Sequence, residues 1–271
     1  MKWFWVVLLS WGVWAEPAPS SQNFEQPRRR ADGKPLCFQD LRVPVLRPQV
    51  LRRVPHDTTC FTQGLCFDGK GLAYESNGGL GRSSLRRFDP GTGQVLQETR
   101  LGNEFWAEGV YSLGPELLLL TWQNRRFFFF DEGLVARRTV EFFGSEGWGV
   151  TSLAERVAIS DGSSRLQWFR PAPWKAEGTV EVTETGRPVD LLNELETVEG
   201  DIYANLWLSD YIAIVKPASG EVRAWLDCRG LLTPEEAAQC DVLNGIGYDT
   251  TRKELYVTGK LWPWLFVLRP L

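Results

Sequence analysis

Self-similarity constrains this chain most. Five short motifs recur about every 40–50 residues, the period of one propeller blade. They are Thr62-Gln63-Gly64-Leu65, Ala107-Glu108-Gly109-Val110, Gly147-Trp148-Gly149-Val150, Asn193-Glu194-Leu195-Glu196 and Asn244-Gly245-Ile246-Gly247. Each opens a strand pattern, and a second and a third pattern follow, as in Leu118-Leu119-Leu120-Thr121-Trp122 and then Phe127-Phe128-Phe129-Phe130-Asp131. Gly91-Thr92-Gly93 and Ala218-Ser219-Gly220 make tight turns into an outer strand. Short, evenly spaced strands predict an all-β chain. Five radial units predict a five-bladed β-propeller, whose sheet edges are short and protected. A two-sheet sandwich does not explain so regular a recurrence. The last repeat stops after its third strand, at Leu271. The apolar-rich segment Leu41 to Arg53 is predicted to complete that blade and close the ring, and Pro44, Pro48 and Pro55 suit an edge strand.

The N-terminus reads as a signal peptide over residues 1–15. Lys2 precedes an apolar run, Trp3 to Trp14, and Val13-Trp14-Ala15 resembles a cleavage site. That run is shorter than the roughly 20 residues of a spanning helix, although an uncleaved anchor is the alternative. No other stretch is apolar enough to span a membrane. Residues 16–36 read as a flexible linker, with Arg28-Arg29-Arg30 solvated, and residues 37–271 as the propeller. The leader implies a secreted or periplasmic location. With 30 basic against 34 acidic residues, no surplus exists to hold nucleic acid. Five cysteines fit an oxidising compartment. Cys228 and Cys240 flank a helix-like insert, Leu231 to Gln239, and are the candidate disulfide; the pairing of Cys37, Cys60 and Cys66 stays open. A single histidine makes a mixed Cys/His zinc site improbable.

In a propeller the first strand of each blade lines the central channel, so the five motifs converge in space. The chain holds thirteen tryptophans, a high number, and several stand at repeat-equivalent places. Trp122 and Trp207 end second strands, Trp148 starts a first strand, and Trp262 and Trp264 follow Lys260. Such rings either cover the faces between blades or form an apolar cage. Trp122, Trp148 and Trp207, beside Glu108, Asn193 and Lys260, are assigned to a cage. Glu108 opens a first strand behind Phe105-Trp106. Aromatic surroundings strip its hydration and should raise its pKa, poising it to move a proton. Other chemistries lack their parts. A serine triad would need the sole histidine, His56, and no Gly-x-Ser-x-Gly elbow exists. His56 is read as a structural hydrogen-bonding residue. Gly78-Gly79-Leu80-Gly81 precedes no helix pattern and is read as a flexible loop, not a phosphate cradle.

The strings HDTTCFTQGLCFDGKGLAYESNGGLG, SSLRRFDPGTGQV, LTWQ, EGWGV, SDGSS, GRPVDLLNELE, IYANLW, DVLNGIGYD and VTGKLWP run in order from His56 to about Phe266. Together they resemble the glutamine cyclotransferase family of plants and bacteria, that is, their glutaminyl cyclases. The resemblance implies a five-bladed propeller that converts the N-terminal Gln of peptides or proteins to pyroglutamate and releases ammonia. It implies Glu108 as the proton shuttle and Gln63 and Asn193 as ligands of the substrate amide. Lys260 would stabilise the oxyanion, and Trp122, Trp148 and Trp207, with Phe61 and Trp106, would form the aromatic wall. No cofactor and no catalytic metal are expected, although a structural cation in the central channel is compatible with the fold. The closed ring predicts a monomer. Trp106 stands where Phe is expected, and Cys60 where a small apolar residue is usual. Two other readings stay open: a non-catalytic secreted peptide-binding propeller, and a metal-dependent hydrolase using Asn205, Asn244 and Asp161.

Overall fold

Each repeat folds into one antiparallel sheet, and the inner strands of the five sheets meet around a common axis. The structure is a computed structural model and describes residues 41–142, 146–171 and 173–271 of the chain. The predicted leader, the linker and Cys37 lie outside the described residues. Blade 1 runs Thr62–Phe67, Ala73–Asn77, Ser84–Phe88, Val95–Arg100 from the axis outward. Blade 2 is Ala107–Leu113, Glu116–Thr121, Arg126–Phe130, Ala136–Glu141. Blade 3 is Val150–Leu153, Arg156–Ile159, Arg165–Arg170, Lys175–Glu181. Blade 4 is Leu192–Val198, Asp201–Leu206, Tyr211–Val215, Val222–Asp227. Blade 5 is Leu243–Asp249, Glu254–Gly259, Trp264–Leu268 and then Val50–Pro55 from the N-terminal side.

The ring closure differs in detail from the expected single strand. Val50–Pro55 pairs antiparallel with Trp264–Leu268 and completes blade 5. Upstream, Val45–Leu46 instead runs parallel to the outer strand of blade 4, with Val45 opposite Trp225. Pro48, which has no N–H to donate, stands where the segment leaves one sheet for the next. The segment therefore clasps two blades. Glu184, in a small hairpin that sequence reasoning did not anticipate (Thr183–Glu184 with Arg187–Pro188), pins it. Its Oε1 accepts from Arg42 N at 2.7 Å and from Trp225 Nε1 at 2.9 Å.

Close approach of the inner strands explains the glycines of the motifs. A Cβ on Gly109 would lie 2.8 Å from Val150 N, and one on Gly64 would overlap the backbone at Gly109-Val110. Gly149 abuts the Asn193 carbonyl in the same way. The fourth motif carries Glu194 where the first three carry glycine, and its carboxylate accepts from Leu65 N (3.4 Å) and Ile246 N (2.8 Å). Asn205 accepts from Gly245 N (3.0 Å), and Asn244 donates to the carbonyls of Thr62 and Gln63. These side chains stitch blade 4 to blade 5 and blade 5 to blade 1. These bonds give Asn205 and Asn244 structural roles.

The structure does not join the expected disulfide. Cys228 and Cys240 are free, buried thiols in the core shared by blades 4 and 5. The insert between them is one helical turn, Pro234–Ala237, held by a Thr233/Glu236 capping box. Glu236 also accepts from Trp264 Nε1 at 2.7 Å, so side-chain hydrogen bonds secure the insert without a crosslink. No helix among the described residues is long and apolar enough to cross a membrane.

Candidate active site

Blade closure places the expected residues around one end of the axis. Phe61 meets Trp106 edge-on at 6.1 Å, and Trp106 meets Trp122 at 5.9 Å. Trp148 meets Trp207 at 5.7 Å. Lys260, just past the second strand of blade 5, lies with Nζ 4.6 Å from the Phe61 ring centre. An arc of aromatics thus runs from blade 1 to blade 4, and the blade 5 lysine meets its start. Backbone bonds fix the arc, among them Trp122 N to Trp106 O (3.1 Å) and Gly109 N to Trp148 O (2.7 Å). Trp207 is 39% exposed and forms the outer lip.

The gap in the arc, between Trp122 and Trp148, is bridged by a residue the sequence reading passed over. Glu146 Oε2 accepts from Trp122 Nε1 at 2.6 Å and from Trp148 Nε1 at 2.9 Å. The only sequence signal was its place before Gly147-Trp148.

Glu108 is buried at the start of the inner strand of blade 2. Its backbone carbonyl accepts from Ser76 Oγ at 2.5 Å, while its carboxylate has no hydrogen-bond donor among the described residues. Burial pushes its pKa well above the ordinary carboxylate value; nearby Glu146 adds to this and Lys260 opposes it. Lys260 is likewise buried, and burial lowers its pKa against the attraction of Glu108 and Asp241. The two are coupled through space without forming an ion pair.

Gln63 and Asn193 sit on the inner strands of blades 1 and 4 and are both buried. Gln63 Oε1 and Trp106 Nε1 are buried without partners. Buried polar groups are nearly always paired, so an orphan acceptor and an orphan donor beside an unpaired carboxylate mark a place for a polar ligand. Gly78 packs against both residues: a Cβ there would fall 2.6 Å from Trp106 Nε1 and 2.7 Å from Gln63 Cγ. The Gly78–Gly81 segment is accordingly a built turn, with Ser83 Oγ donating to Gly79 O, and not the loose loop expected.

Trp262 and Trp264 belong elsewhere. Trp262 is buried in the core and donates to Asp241 O, and Trp264 holds the insert. His56 has the structural role expected, with Nδ1 2.7 Å from Trp262 O and Nε2 2.9 Å from Glu75 Oε1.

The assembled site offers a poised carboxyl, a buried cation, two amide side chains and a dry aromatic wall. That set suits moving a proton at a polar, uncharged group held away from water.

Comparison with known proteins gives the family. The family model for glutamine cyclotransferase matches residues 26–269. A glutaminyl-peptide cyclotransferase of Arabidopsis thaliana is 35% identical over 226 residues, which is 82% of this chain and 70% of the plant protein. The crystal structure of Myxococcus xanthus glutaminyl cyclase matches with a TM-score of 0.77 and 36% identity, covering 84% of this chain and 98% of the bacterial one.

Proposed function

The chain belongs to the glutamine cyclotransferase family and is an enzyme of that class, and from this premise we propose that Glu108 shuttles the proton as a peptide's N-terminal glutamine closes to pyroglutamate. In this reading the substrate's α-amine attacks its own γ-amide carbonyl carbon. A nitrogen–carbon bond forms, a proton leaves the attacking amine, and the carbon–amide nitrogen bond breaks to release ammonia. Glu108 takes the proton as base and returns it to the departing nitrogen as acid. A carboxyl whose burial raises its pKa above the ordinary carboxylate value can both take and return a proton, and this supports the assignment.

Lys260 faces the oxyanion that develops on the γ-carbonyl. Gln63 and Asn193 orient the amide, and the unpaired Gln63 Oε1 accepts from its nitrogen. Phe61, Trp106, Trp122, Trp148 and Trp207 exclude water and favour the uncharged amine, the only form that attacks. The observation that carries the reading is one buried carboxylate without a donor, set among aromatics with a lysine across from it.

The scheme routes no step through a metal. A structural cation in the channel, which the fold allows, would meet Glu194 and Glu196, and Glu196 leaves Oε2 buried without a partner, so the residues fit such an ion. The apolar leader supports action outside the cytoplasm, and the closed ring supports a monomer. Mass spectrometry tests the reading. The purified chain should convert a Gln-initiated peptide to a product lighter by one ammonia and leave an Asn-initiated peptide unchanged. Binding of the Gln peptide without conversion would favour the non-catalytic propeller.

A further inference from the structure

A second cluster lies beside Phe61 and takes no part in the scheme above. His56, Cys60 and Glu75 each bring one ligand atom to a point where all three lie within 4.8 Å of one another. We propose that they bind a divalent transition metal of the zinc class. Imidazole, thiolate and carboxylate form a donor set that zinc accepts. The sequence reading set zinc aside because only one histidine exists, but this set needs only one.

The surroundings are those of a built site. The His56 and Glu75 side chains are 6% and 3% exposed, and Cys60 is fully buried. His56 Nδ1–H donates to the Trp262 carbonyl at 2.7 Å, so Nε2 is the nitrogen turned to the cluster, and its lone pair becomes available there once metal entry displaces its proton. Metal-bound histidines are commonly oriented by such a carbonyl. Thr62 Oγ1 donates to Glu75 Oε1 at 2.7 Å and fixes the carboxylate.

Geometry asks for small movements. Bonds of about 2.0–2.3 Å in a tetrahedron hold ligand atoms about 3.3–3.7 Å apart. Nε2 and Oε1, now 2.9 Å apart, would open by about 0.4 Å, and the sulfur would close in by side-chain rotation. A water or the Thr62 hydroxyl would fill the fourth position.

Charge does not bar the ion. Arg86 lies close by, but its Nη1 is paired with Asp57 at 2.8 Å. Metal entry displaces one proton from the imidazolium and one from the thiol, which leaves the net charge of the cluster unchanged. The Cys60 carbonyl accepts from Leu261 N at 2.8 Å and His56 N donates to Pro263 O at 2.9 Å, so backbone bonds already hold this segment against the turn that follows Lys260, with or without the metal.

Cobalt(II) titrated into the intact protein tests this. One equivalent should give a near-ultraviolet thiolate-to-cobalt charge-transfer band. Cys60→Ala should abolish the band and weaken binding more than about 100-fold, with far-ultraviolet dichroism reporting that the variant is folded. Absence of the band in the parent, or its survival in Cys60→Ala, would overturn the proposal. Zinc X-ray absorption on the parent decides the matter without a variant. One sulfur at about 2.3 Å with nitrogen and oxygen at about 2.0 Å is expected, and a shell without sulfur contradicts the assignment.

Discussion

Replacing Glu146 tests how the aromatic wall is held. One carboxylate oxygen accepts from two indoles, at 2.6 and 2.9 Å, and those rings belong to neighbouring blades. Hydrogen bonds to a charged group contribute about 1.5–3 kcal/mol each. The indoles and Glu146 are half-buried, so the lower end applies, and two bonds give about 3 kcal/mol. In Glu146→Ala the two rings lose their shared anchor and must be ordered anew for each substrate. The value of kcat/KM for a Gln-initiated dipeptide should then fall up to about 150-fold. Glu146→Gln keeps an acceptor oxygen and removes the charge. Glu146 raises the pKa of Glu108, so this variant should move the acidic limb of the kcat/KM profile to lower pH with a smaller loss of rate. Coupled ammonia detection across pH, with tryptophan fluorescence alongside, measures both. The reasoning is refuted if Glu146→Ala stays within about threefold of the parent, or if the limb of Glu146→Gln moves to higher pH.

Lys260 holds the Glu108 pKa down, so Lys260→Met should shift the acidic limb the opposite way and lower kcat through loss of the oxyanion's partner; the same pH profiles check it. Stability should follow Glu108 as well. Its folded pKa lies above its unfolded value, so the stability it contributes is complete below the ordinary carboxylate value of 4.5 and is lost as pH rises through the folded pKa. Denaturant melts should therefore find Glu108→Gln increasingly more stable than the parent as pH rises above the ordinary carboxylate value of 4.5. Gly149→Ala drives a methyl into the Asn193 carbonyl, and its thermal midpoint should fall by several degrees, as an overpacking cost of about 1–3 kcal/mol implies. Because Asn193 moves with it, turnover should fall too.

The architecture was legible because five blades repeat one grammar. Glycine in the first strand answers the need for inner strands to touch, and that need recurs around the ring. The second and third strands were found to within a residue or two. The N-terminal segment was seen as the closing piece, but its division between blades 4 and 5 depends on Glu184 reaching back from a distant hairpin, which no local pattern encodes. Glu108, Gln63, Asn193, Lys260 and the cage rings could be singled out because they open or close repeat strands, and the structure brings them to one end of the ring. Glu146 was missed because its role exists only once two tryptophans from different blades converge on it. The His56, Cys60 and Glu75 cluster escaped for the same reason, since 15 residues separate Cys60 from Glu75 in sequence and strand pairing brings them together. The expected Cys228–Cys240 bond failed because spacing says nothing of how two thiols pack in a core.

The central claim is that Glu108 carries the proton. Ammonia release from a Gln-initiated dipeptide, by the parent and by Glu108→Gln, each with and without a chelator, tests it most directly. The account predicts that the parent turns over at the same rate with chelator present and that folded Glu108→Gln releases no ammonia above the uncatalysed rate. Turnover by Glu108→Gln comparable to the parent's, or its loss from the parent on chelation, would contradict it.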